Sequence, residues 1–160
     1  MLALELQVPA RPEFIAIVRL VVSSLASARR NLADERIDDL KLAVSEACTN
    51  AIEAHRAANA EHPVVVEVWE ADDRLEVRVN DHGAGFDPGT LPAHPPVTDP
   101  DRLNFERGLG IPLIRTLVDA VDFVDLRPGT SVVMTLFGGP AGDTGDETSE
   151  IVRVVLSDDA

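Results

Sequence analysis

The sequence predicts an α+β fold: a two-layer sandwich in which helices cover one face of a mixed, mostly antiparallel sheet. Three observations predict it. Stretches of two-residue alternation recur along the chain, two connections between them are short enough to force hairpins, and the intervening helical patterns are few and amphipathic.

The first strand is Leu2–Val8, where Leu2, Leu4, Leu6 and Val8 alternate with Ala3, Glu5 and Gln7. Pro9 and Pro12 end it, and Pro12 suits the first turn of a helix. From Phe14 the apolar positions Val18, Val21, Val22 and Leu25 recur at helical spacing, and the pattern ends near Arg29-Arg30, two cations suited to a helix C-terminus. A second helix is expected from about Ile37 to His55. Its apolar stripe is Leu40, Ala43, Val44, Ala47, Cys48 and Ala51, with Ser45, Glu46, Thr49, Asn50 and Glu53 on the other side.

Strands Val64–Glu70 and Leu75–Asn80 follow, joined by a short turn, so they pair antiparallel. Asp81–Arg107 reads as a long loop, since Pro88, Pro92, Pro95, Pro96 and Pro100 leave no room for a regular element. A third helix is expected from Gly110-Ile111-Pro112 to about Asp119, then strands Val121–Leu126 and Ser131–Phe137 flanking the turn Arg127-Pro128-Gly129-Thr130. Beyond Gly138 glycines alternate with acids. The expected division is a folded domain over 1–138 and an acidic, flexible tail over 139–160, within which Ile151–Leu156 is open between a short strand and a docking segment.

A chain of 160 residues fits one domain, and 14 basic against 28 acidic residues give a formal charge of −14. That surplus repels a phosphate backbone, which argues against broad nucleic-acid binding and in favour of a basic protein partner. Arg19 and Ser23-Ser24 interrupt the best apolar run, so no membrane span or secretory signal is expected. Cys48 is the only cysteine, which fits a reducing, cytoplasmic setting.

Four short stretches have chemical potential. Glu46 and Asn50, spaced i, i+4, put a carboxylate beside a carboxamide oxygen, as a Mg²⁺–phosphate centre with a general base would use. Asp81-His82-Gly83-Ala84-Gly85 stands where a strand runs out; a carboxylate there can accept from the exocyclic amine of adenine, and its glycines permit close backbone approach. Arg107-Gly108-Leu109-Gly110 opens a helix and suits an anion. In Gly129-Thr130, the threonine hydroxyl is placed to share the adenine amine with Asp81. Each alone also has a plain reading, as solvated helix face or as turn and loop glycines. Neither a P-loop nor a Rossmann fingerprint is present. His55, His62, His82 and His94 lack metal-ligand spacing and read as ordinary surface or loop histidines.

Taken together and in this order, the stretches resemble a known family. Ser45-Glu46-Ala47-Cys48-Thr49-Asn50-Ala51-Ile52 looks like the N-box of the GHKL (histidine-kinase-like ATPase) superfamily. Asp81–Gly85 resembles its D-x-G-x-G box, Arg107–Ile111 its second glycine box, and Gly129-Thr130 its Gly-Thr motif, over about residues 8–137. Within the superfamily the chain is most similar to the anti-sigma factor serine/threonine kinases of bacterial stress response and sporulation.

The resemblance implies a Bergerat-type ATP-binding fold and an ATP-dependent kinase. It assigns Glu46 as catalytic base and Asn50 as ligand to Mg²⁺. Asp81 would bind adenine, with Thr130 in support and Gly83 and Gly85 giving the base room. Arg107, Gly108, Leu109 and Gly110 would cradle the phosphates from a lid over Pro88–Arg107. It also implies a homodimer, a STAS-domain anti-sigma-factor antagonist as protein substrate, and a sigma factor as the sequestered client. Two further readings stay open on the residues: a partner-binding module of the same fold with weak or no ATP turnover, and a catalytic fragment of a histidine kinase.

Overall fold

The computed structural model describes residues 1–29, 31–84, 110–138 and 151–158. In chain order the elements are β1 (Leu2–Val8), a 3-10 turn (Pro12–Phe14), α1 (Ile15–Ala28), α2 (Asp34–Ala58), β2 (Val64–Ala71), β3 (Arg74–Asn80), α3 (Gly110–Leu117), β4 (Ala120–Asp125), β5 (Thr130–Phe137) and β6 (Val152–Val155). The fold is α+β, as expected.

The strands form one sheet in the order β4-β5-β3-β2-β1-β6. β1–β2, β2–β3, β3–β5 and β4–β5 are antiparallel, and β6 lies parallel to β1. Register aligns the apolar alternation into rows. Leu4, Val68, Val77 and Met134 form one, and Leu6, Val66, Val79 and Val132 the next. All eight side chains are buried, because successive residues of a strand point to opposite faces and this face meets the helices. The other face is half-buried and polar: Glu5, Gln7, Glu67, Glu76 and Arg78 line it, and the Arg78 guanidinium stacks 4.7 Å over the Trp69 ring.

α1 turns Val18, Val22 and Ala26 into the core, and α2 contributes Leu40, Ala43, Val44, Ala47, Cys48, Ala51 and Ile52. Burial pushes the Cys48 thiol up to about 12, so it acts as a small apolar filler. α2 is longer than the stripe alone predicts. Asp34 and Glu35 occupy its first turn, where acids suit the helix dipole, and Asn59 ends it in the left-handed region at φ 51°. α3 stops at Leu117, two residues before the expected end. The Asp119 N–H donates to the Thr135 carbonyl, and its carboxylate accepts from the Phe137 N–H and pairs with Arg36, so the sheet takes over from the helix there.

Within the expected tail, the segment left open between strand and docking segment is a strand. Val152–Val155 adds to the open edge of β1, with Leu156 N–H donating to the Gln7 carbonyl and Arg153 paired with Glu5. Alternating valines supply β propensity, and the unpaired edge of β1 supplies the hydrogen-bond partners. No described helix is long and apolar enough to cross a membrane.

Candidate functional site

Helix α2 organises the site. Glu46 and Asn50, one turn apart, emerge half-buried on its side away from the sheet. That side does not lie open to solvent as a lone amphipathic helix would leave it, because α3 packs against α2 and begins there. A Cβ placed on Gly110, the first residue of α3, would stand 3.1 Å from Glu46 Oε2 and 3.2 and 3.3 Å from the Asn50 amide nitrogen and oxygen. Glycine is therefore the residue that lets the start of α3 approach these two side chains without displacing them.

The second constellation sits where β3 ends. The Asp81 N–H donates to the Thr130 carbonyl at 2.9 Å, extending the β3–β5 ladder by one rung. Its carboxylate Oδ1 accepts from the Gly83 N–H at 2.8 Å and the Thr130 N–H at 3.3 Å. Among the described residues both bonds go to Oδ1, which leaves Oδ2 as the remaining acceptor. The residues are well enclosed, Asp81 7% and Thr130 5% exposed. Gly129, at φ +99°, completes the turn; any side chain there would be strained and would collide with the Asp81 carbonyl. Gly83 lies so close to α2 that a Cβ on it would overlap the Ala54 side chain.

Of the residues singled out in the sequence, the structure thus joins Glu46 and Asn50 to Gly110, and Asp81 to Gly83 and Thr130, with α2 touching both groups. Gly85, Arg107, Gly108, Leu109 and the expected lid over Pro88–Arg107 lie outside the described residues. The donor set fits a metal carried in on phosphates: one carboxylate and one carboxamide converge on a glycine-lined approach, as a cation that keeps most of its shell from phosphate and water requires. Among the described residues, no three His, Cys, Asp or Glu side chains are grouped to hold a metal by themselves.

One residue departs from its sequence reading. His55, expected to be an ordinary surface or loop histidine, is 1% exposed, and its Nε2 accepts the His82 backbone N–H at 2.7 Å. The signal was available: Ala43, Ala47, Ala51 and His55 follow one another at four-residue steps, so the apolar stripe of α2 runs into the histidine. Burial holds its pKa below the usual histidine value, opposed by the Asp81 carboxylate. His82 stacks on His62 with ring centroids 4.7 Å apart.

Comparison with known proteins identifies the family. The sequence profile described as "Histidine kinase-like ATPase domain" matches residues 8–136. The serine-protein kinase RsbW of Bacillus licheniformis is 42% identical over 139 residues, covering 84% of each chain. RsbW of Listeria monocytogenes is 39% identical over 136 residues, covering 82% of this chain and 85% of its own. A crystal structure of the RsbU and RsbW domains of a Mycobacterium tuberculosis protein superposes with a TM-score of 0.60 at 19% identity, covering 88% of this chain and 34% of that one, a likeness of fold. The chain belongs to the histidine kinase-like ATPase domain family of ATP-using proteins, in the group of the RsbW serine-protein kinases.

Proposed function

We propose that this protein transfers the γ-phosphoryl group of ATP to a serine or threonine of a STAS-domain anti-sigma-factor antagonist, and that it sequesters a sigma factor when that antagonist is unavailable. The observation that carries the reading is the convergence of Glu46 and Asn50 on Gly110 while the same helix backs the Asp81 loop. A base and a metal ligand thereby share a rigid support with a purine-recognition site.

In this mechanism Asp81 Oδ2 accepts from the exocyclic amine of adenine, with Thr130 beside it. Gly83 keeps the loop backbone low against Ala54, so a planar base can lie over it. Asn50 would hold Mg²⁺ through its carboxamide oxygen, and the ion, when bound, would supply neutralisation of phosphate charge. Glu46 accepts the proton of the substrate hydroxyl as its oxygen bonds to the γ-phosphorus and the bond to the β–γ bridging oxygen breaks, releasing ADP. Positioning and charge neutralisation dominate phosphoryl transfer, so these few groups suffice as protein parts. Gly85, Arg107, Gly108 and Leu109 complete the reading as the phosphate cradle.

The domain over 1–138 is the kinase unit in this proposal; it acts as a homodimer in the cytoplasm, and its acidity steers a basic sigma factor towards it. The test mixes the protein with Mg-ATP and a cognate STAS-domain protein and follows acid-stable phosphoserine or phosphothreonine. Asp81→Asn turns the free acceptor into a donor facing the adenine amine and should weaken ATP binding by roughly 10- to 100-fold, the scale of a lost charge-assisted hydrogen bond. Unchanged calorimetric affinity in that variant would remove Asp81 from adenine recognition.

A further inference from the structure

Among the described residues, helix α2 reaches the Asp81 loop through one polar bond. The His82 N–H, immediately after Asp81, donates to His55 Nε2 at 2.7 Å, and His55 is 1% exposed on the buried stripe of α2. The neighbouring residues are fixed by other means. Asp81 is pinned to β5 through Thr130, and Gly83 rests on Ala54. His82 N–H is thus the one backbone donor of the Asp81–Gly83 turn whose partner is a side chain of α2, since the Gly83 N–H returns to Asp81 itself.

We infer that His55 is a positioning residue for the nucleotide base, holding the Asp81-His82-Gly83 turn against the helix that carries Glu46 and Asn50. The inference rests on the adenine-binding role proposed for Asp81.

A ring that accepts at Nε2 must be neutral with its proton on Nδ1. Protonation would put a second N–H where the His82 amide points, and two donors cannot share that space. The groups facing the ring are the Asp81 carboxylate and the His82 ring from the loop after β3, and the His62 ring from the segment between α2 and β2. Burial, the largest influence, opposes the charged form and the His82 and His62 rings add to it, while the Asp81 carboxylate and a hydrogen bond to the His62 backbone favour it. The balance holds His55 below its usual range, so the acceptor is present near neutrality and lost in acid.

A side chain that only fills space would lose stability on truncation and nothing more. A positioning role makes sharper demands. His55→Ala should raise the Kd for ATP about tenfold, the scale of a buried amide left without its partner, while kcat at saturating ATP changes by less than about threefold. His55→Gln places a carboxamide oxygen near Nε2 and cannot titrate. It should restore most of the affinity and abolish the loss of affinity that the unsubstituted protein shows as pH falls through the His55 pKa.

In the protein without nucleotide, the His82 amide should exchange its hydrogen slowly in the unsubstituted chain and in His55→Gln, and at least tenfold faster in His55→Ala. This readout survives if the alanine variant proves too unstable for kinetics, because His55→Gln and the unsubstituted chain still provide the pH comparison. Several results would overturn the inference. They are a His82 amide that exchanges freely in the unsubstituted protein, an ATP affinity unaltered in His55→Ala, or the same pH profile in His55→Gln. An unsubstituted protein that binds no ATP while its His82 amide is protected would instead overturn the function proposed above, and the positioning role with it.

Discussion

Midway along α2, Glu46 and Asn50 are half-buried beneath Gly110, and among the described residues neither side chain is tied by a hydrogen bond. One to two turns further on, Ala54 and His55 meet the Asp81 loop in a different manner: His55 is fully buried, and the loop is cross-linked to α2 and to β5 by bonds of 2.7 to 3.3 Å. One helix therefore presents an adaptable end and a fixed end. The contrast matches the roles proposed above for each. A base and a metal ligand must adjust to a ligand that brings its own charges, whereas recognition of a flat base gains from partners already in place.

If the contrast is real, substitutions at the two ends should fail in different ways. The largest effect is expected at Glu46. Glu46→Gln should lower the rate of phosphoryl transfer by roughly 10²- to 10⁴-fold, the range of a general base, with Kd for ATP moved less than about threefold. Single-turnover transfer and calorimetry separate the two quantities, and unchanged transfer would remove Glu46 as the base.

At the fixed end, Gly129→Ala drives a Cβ into the Asp81 backbone at a φ that alanine avoids. It should cost about 2–4 kcal/mol of stability in urea unfolding. A smaller loss would mean that the Asp81 turn is less rigid than its hydrogen bonds suggest.

Gly110→Ala is the corresponding probe at the adaptable end. Its Cβ at 3.1 Å from Glu46 Oε2 can be accommodated by rotation of a side chain, so stability should change little. Transfer should nevertheless slow about tenfold, because Glu46 and Asn50, the proposed base and metal ligand, are displaced together.

The smallest effect concerns pH. His55 in the native protein lies below its ordinary value of 6.5, so the unfolded chain takes up a proton first. The stability this contributes is fully present above about pH 6.5 and is lost as pH falls toward the native value. His55→Gln should flatten that part of a urea midpoint-against-pH curve; an unchanged slope would place the titrating group elsewhere.

Much of this molecule was legible in the sequence, and the reason is local. Strand alternation, the α2 stripe, the tight β2–β3 and β4–β5 turns and the glycine-rich stretches are all written in spacings of two to five residues, where backbone geometry alone dictates the outcome. Residue type also gave each motif its chemical potential, since a carboxylate suits the base role proposed for Glu46 and glycine tolerates the turn at Gly129. Tertiary structure decided the rest. It placed β5 between β4 and β3, recruited Val152–Val155 to β1 across most of the chain, and set the start of α3 onto Glu46 and Asn50. It also turned His55 from one more polar residue in a helix into the acceptor that meets the Asp81 loop. Those outcomes depend on which buried surfaces and unpaired backbone groups find each other over long separations, and no short window of sequence contains both partners.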